Sequence, residues 1–147
     1  MVLGACLAAA EASRSIADAE VVEAKFELFV TDVAASVRFY GVMGFELAHA
    51  KADGYSTLRS GATVVALSPV PWWLPLRVVG LLRRPPIGTE LVFYTAHLEE
   101  MRQRLIAAGY APGEIQLQPW GDRDFRLTDP DGYYIRLSEG GAVPKSG

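Results

Sequence analysis

The chain has a single cysteine, Cys6, in 147 residues. No internal disulfide is possible, which suits a reducing cytoplasm, the location expected for the protein. Lysine and arginine total 14 against 17 acidic residues, a net charge of −3. The cations form no stripe, so nucleic acid is not an expected partner. No segment approaches the ~20 apolar residues that span a bilayer, so no membrane is expected either. A Gly-rich phosphate loop is missing: "GACLAAAEA" has neither the spacing nor a lysine. The same stretch lacks a basic residue before its apolar run, and Glu11 ends that run early. Residues 1–22 therefore read as an Ala-rich helix or extension rather than an export signal. Cys6 has no His or Asp near it in sequence, which leaves nucleophilic catalysis there poorly supported.

What is present points to a globular fold, since 50% of the residues are hydrophobic and 21% are charged. Strand alternation is clear in "EAKFELFV" (23–30), where Phe26, Leu28 and Val30 oppose Lys25, Glu27 and Phe29. Val33, Val37 and Tyr40 then recur at helical spacing, with Asp32 as N-cap and Gly44 as stop. Three short strands follow, in 44–50, 54–60 and 62–69, separated by Asp53-Gly54 and Ser60-Gly61 turns. The same order returns from "GTELVFYT" (88–95) through a helix over 97–110 to "EIQLQPW", "DFRLTD" and "GYYIRLSE". Gly44-Phe45 falls on Gly109-Tyr110 with a shift of 65 residues. The predicted fold class is α+β, two tandem βαβββ modules over 23–69 and 88–139. A Pro- and Trp-rich linker (70–87) joins them, and 140–147 is a tail. Within the linker, Trp72 and Trp73 read either as plain linker residues or as aromatic anchors at a ligand mouth or subunit interface.

These paired modules, the Gly-Phe after the first helix and the closing "QPWGDRDFRLTDPDGYYIRL" resemble the vicinal-oxygen-chelate superfamily. This is the glyoxalase, bleomycin-resistance and extradiol-dioxygenase group, and the closing segment is most similar to its bleomycin-resistance branch. The resemblance covers about residues 23–139. It implies that each module curls its sheet into a half-open cup with helices on the outer face. It also implies that enzyme members hold a divalent metal from the first and fourth strands of each module. Those positions fall on Lys25, Glu90, Ala66 and Arg136. Two of these side chains are cationic and one has no donor, so no metal and no cofactor is expected. His49 and His97 lie at no metal-ligand spacing, and His97 stands at a helix N-cap.

Alternation places Arg136 opposite Ile135 and Leu137, facing the cup. Lys25, Glu90 and Arg136 are expected to converge there, as a salt-bridged plug or as the polar floor of a binding pocket. Phe29, Tyr94 and Tyr134 would line that pocket, Trp120 would stand at its rim, and Glu27 or Glu90 would select a positive group. No residue is assigned a catalytic role. The leading expectation is a metal-independent binder of a planar or cationic aromatic, drug-like small molecule, acting by sequestration as a homodimer. The alternative is a glyoxalase- or dioxygenase-type enzyme, with ligands shifted to Glu27, Glu90 and His49 or with a carboxylate general base. Asp129-Pro130-Asp131-Gly132 reads as hairpin-turn chemistry, with its two aspartates solvated.

Overall fold

Asp32 starts the first helix as its sequence position predicts: its side chain accepts from the Ala35 N–H at 2.9 Å. The computed structural model describes residues 24–71, 73 and 89–141. The 1–22 extension, Trp72 and most of the 70–87 linker and 140–147 tail lie outside the described residues. The first unit runs β1 (Phe26–Val30), α1 (Val33–Val42), β2 (Glu46–Ala50), β3 (Ser56–Ser60) and β4 (Thr63–Pro69). The second runs β5 (Leu91–Tyr94), α2 (Leu98–Ala107), β6 (Gln116–Leu117), β7 (Arg123–Thr128) and β8 (Tyr134–Ser138). Each forms a mixed four-stranded sheet, ordered β1-β4-β3-β2 and β5-β8-β7-β6. The first and last strands of each unit are parallel and the other neighbours antiparallel. The predicted class and duplication are what the chain forms. The shortest element is β6, where a strand was expected across "EIQLQPW" and only two residues pair.

Both described helices stop at the same device. Gly44 and Gly109 take φ of 87° and 89°, a left-handed conformation that costs glycine nothing, and the next N–H returns to the helix. Among the described residues one apolar cluster serves both sheets and both helices. It includes Leu28, Val30, Phe39, Val65, Leu105, Phe125, Ile135 and Leu137. Aromatic edges join the two units across it: Phe45 meets Phe93 at 5.4 Å, and Phe39 meets Tyr110 at 4.9 Å. Alternation therefore turns the other residue set of each strand toward the sheet face away from the helices, and these carry the chemistry. No helix among the described residues is long and apolar enough to cross a membrane.

The turn between β7 and β8 corrects one expectation. Gly132 has φ of 89° and donates to the Asp129 carbonyl at 2.9 Å, as a turn requires. Asp129, however, is not solvated. It is 4% exposed and accepts from the Tyr40 hydroxyl and from the Asp131 and Tyr133 N–H groups, at 2.9–3.1 Å. Asp131 accepts from the Thr31 N–H at 2.9 Å, and the Tyr133 hydroxyl donates to the Phe29 carbonyl at 3.2 Å. The turn is an inter-unit latch, because packing against the β1–α1 segment removes its water.

Candidate functional site

The hairpin of β7 and β8 sets two arginines side by side. Arg126 and Arg136 are equidistant from the turn and are direct cross-strand partners on the face away from the helices. Like charges in that position repel, so the pair persists only with counter-charges. Glu90, just before β5, meets Arg126 Nε at 2.9 Å and Arg136 Nε at 3.4 Å. Asp124, one inward step earlier on β7, faces Arg126 at 3.5 Å and Arg136 at 3.6 Å. The quartet is charge-balanced and graded in depth. Asp124 is 1% exposed, Arg136 20%, Glu90 31% and Arg126 46%. Gln118 donates to Asp124 at 2.8 Å. Asp124 Oδ2 and Arg136 Nε are buried without a hydrogen bond and rely on the longer ion-pair contacts. Trp120 lies over the Arg136 guanidinium at 5.7 Å, within cation–π range, and is 58% exposed.

The expected convergence of Lys25 with Glu90 and Arg136 is therefore corrected. Lys25 belongs to a separate group on the first sheet, because Lys25 and Glu90 adjoin edge strands of different sheets. Its ammonium donates to the Tyr55 hydroxyl at 3.0 Å and lies 3.7 Å from Glu27. Ser68 Oγ donates to Glu27 at 2.6 Å. Sequence reasoning missed Asp124, Arg126, Gln118 and Tyr55. Pairing "DFRL" with "YIRL" around the turn would have placed Arg126 opposite Arg136. Nothing local pointed to Tyr55, whose ring reaches Lys25 across β4.

The remaining candidates are spread over several cavities. A cavity of about 330 Å³ brings Lys25, Glu27 and Leu28 of the first unit together with Leu91, Tyr133 and Tyr134 of the second. That is within the range of small-molecule sites. Tyr94 lines a different cavity of about 380 Å³ with Phe26, Phe45 and Phe93. Trp120 lines a third, of about 660 Å³, with Asp122 and Glu139. Phe29, Tyr94, Tyr134 and Trp73 are all exposed. The structure thus groups Glu27 with Tyr134 and groups Glu90 with Arg136 and Trp120. It does not gather all the candidates into one cavity.

The four positions that the resemblance marks for a metal do not fit one here. Lys25 and Arg136 are cations in ion pairs, Ala66 is fully buried with no donor, and both Glu90 oxygens face guanidinium groups. The shifted set Glu27, Glu90 and His49 fares no better. Among the described residues no three His, Cys, Asp or Glu side chains are grouped to hold an ion. His97 precedes α2 without a side-chain cap bond and lies 3.8 Å from Glu100.

No family model and no curated protein matches the chain. Solved structures do. A bleomycin-binding protein complexed with bleomycin superposes with a TM-score of 0.60 at 22% identity, covering 81% of this chain and 98% of that one. TnmS3, an antibiotic-binding protein from Streptomyces sp. CB03234, gives 0.61 at 25%, covering 81% and 95%. A lactoylglutathione lyase from Agrobacterium tumefaciens gives 0.61 at 18%, covering 83% and 95%. With the duplicated β-α-β-β-β units and two open sheets already in place, these neighbours give the chain the fold of the vicinal-oxygen-chelate superfamily.

Proposed function

We propose that the protein is a metal-independent binder of a planar or cationic aromatic small molecule and acts by sequestration. The observation that supports this reading is that two of the four positions the resemblance marks for a metal, Glu90 and Arg136, are taken up in an ion-paired quartet with Asp124 and Arg126. A partly exposed polar floor beside an exposed tryptophan can orient a ligand while aromatic faces hold it. Two structural neighbours are themselves a bleomycin-binding and an antibiotic-binding protein. Sequestration needs only a dry cleft and a slow off-rate.

Titration with a panel of planar cationic dyes and glycopeptide drugs, followed by tryptophan emission, tests this reading. Saturable quenching is expected, unchanged by prior dialysis against a chelator and largely lost in Trp120→Phe. Stacking at ~0.5–1.5 kcal/mol per ring pair predicts that Trp120→Ala weakens binding by up to about tenfold. Failure of every compound to give saturable quenching would overturn the reading.

A homodimer belongs to the same proposal. Open sheet faces carrying the exposed Phe29, Tyr94, Tyr134 and Trp120 need cover, and a second copy offers matching surfaces. Sedimentation at micromolar concentration should give twice the chain mass, and a single-chain species there contradicts it.

A further inference from the structure

The described tyrosines sit in very different surroundings. Tyr40 is fully buried against Asp129, and burial followed by the Asp129 charge drives its phenol far above the usual range. Tyr94 and Tyr134 are 44% and 50% exposed. Tyr55 is only half-buried, yet cations flank it on two sides. Lys25 Nζ donates to its oxygen at 3.0 Å. Lys51 Nζ stands 4.9 Å from its ring centre, and Lys25 Nζ stands 5.7 Å from it. Glu27 opposes this field, but it is engaged by Ser68 as well as by Lys25. Asp53 is occupied by the Tyr55 N–H at 3.0 Å.

We propose that Tyr55 is a nucleophilic phenol, a site of covalent capture for activated sulfonyl and acyl electrophiles. An ammonium hydrogen-bonded to a phenol oxygen favours the ionised form, and the phenolate is the attacking species. The same bond, with the Thr57 hydroxyl as a second donor, holds the Tyr55 phenol below its ordinary range and raises the Lys25 ammonium. Lowering a nucleophile's pKa raises its ionised fraction more than it weakens its attack, as is established for thiols. With a sulfonyl fluoride, the Tyr55 oxygen attacks sulfur and an S–O bond forms. The S–F bond breaks, fluoride leaves and the phenolic proton passes to water. With an activated acyl donor the same oxygen attacks the carbonyl carbon and the donor's leaving group departs. Lys25 acts here as a positioning residue, and the site does not depend on a ligand in the second cup.

The test uses the full chain, an arylsulfonyl fluoride in mildly alkaline buffer, and peptide mass spectrometry over time. Tyr55 should be labelled first, ahead of the more exposed Tyr94 and Tyr134. Lys25→Met should slow Tyr55 severalfold while leaving the other two rates unchanged, and Lys25→Arg should restore most of the rate. Ultraviolet titration should show an early-ionising phenol that moves to higher pH in Lys25→Met and is missing in Tyr55→Phe. Labelling that simply follows exposure, attachment at Lys25 instead, or a Tyr55 rate indifferent to Lys25→Met would overturn the assignment.

Discussion

Replacing Arg136 with methionine is expected to cost about 3 kcal/mol of stability, read from urea denaturation with an unchanged slope. Arg136 is one of two cations facing Asp124, and Asp124 is 1% exposed. Removing the cation leaves a carboxylate that water cannot reach. Gln118 at 2.8 Å and Arg126 at 3.5 Å remain as partners, which holds the loss near the lower end for a broken buried pair. Glu90→Gln should behave differently. Glu90 is 31% exposed and lies at the open side of the quartet, so its loss should cost about 1 kcal/mol or less. Its effect should appear in ligand affinity instead. If Glu90→Gln costs as much stability as Arg136→Met and leaves dye titrations unchanged, the quartet is a plug and the binding-floor reading fails.

How far the sequence revealed this arrangement depended on the range of each interaction. Asp32, Gly44 and Gly109 act through bonds within a few residues of themselves, so their roles were visible in the order of residue types. Alternation likewise placed Arg136 opposite Ile135 and Leu137, which are buried. The grouping of charges was not visible, because it depends on which strands share a sheet. Lys25 and Glu90 occupy equivalent places in the two units, and equivalence in a repeat does not imply proximity. Symmetry puts them on separate sheets, each with its own partners. Arg126 was recoverable, since hairpin pairing around Asp129–Gly132 fixes its register against Arg136. Tyr55 was not, because a residue next to a turn gives no sign of how far its ring reaches. The burial of Asp129 was equally hidden: Asp-Pro-Asp-Gly describes a turn in water, and Tyr40, 89 residues away, makes it a buried one.

Asp129→Ala is therefore expected to loosen the union of the two units, at roughly 3–5 kcal/mol, because three donors lose their acceptor at once. The Tyr40 hydroxyl bears the largest share, being fully buried. Asp129→Asn separates the hydrogen bonds from the charge. It keeps an acceptor for the Asp131 and Tyr133 N–H groups, and its amide can donate to the Tyr40 oxygen, so it should stay within about 1 kcal/mol of the parent near neutral pH. Burial raises the Asp129 carboxyl above its ordinary range, outweighing the three bonds that favour its ionised form. A group raised on folding binds its proton more tightly in the native state. Its stabilising contribution is full below the unfolded pKa and is lost as pH rises through the folded one. The parent should thus gain stability relative to Asp129→Asn as pH falls from neutral into the carboxylate range. Measuring the difference between the two proteins cancels the opposing loss from Glu99 and Glu139, whose carboxyls Arg123 holds low. A difference that stays flat with pH would show that Asp129 carries its charge at no cost, and one that moves toward Asn in acid would show that the charge itself stabilises the latch; either overturns the expectation.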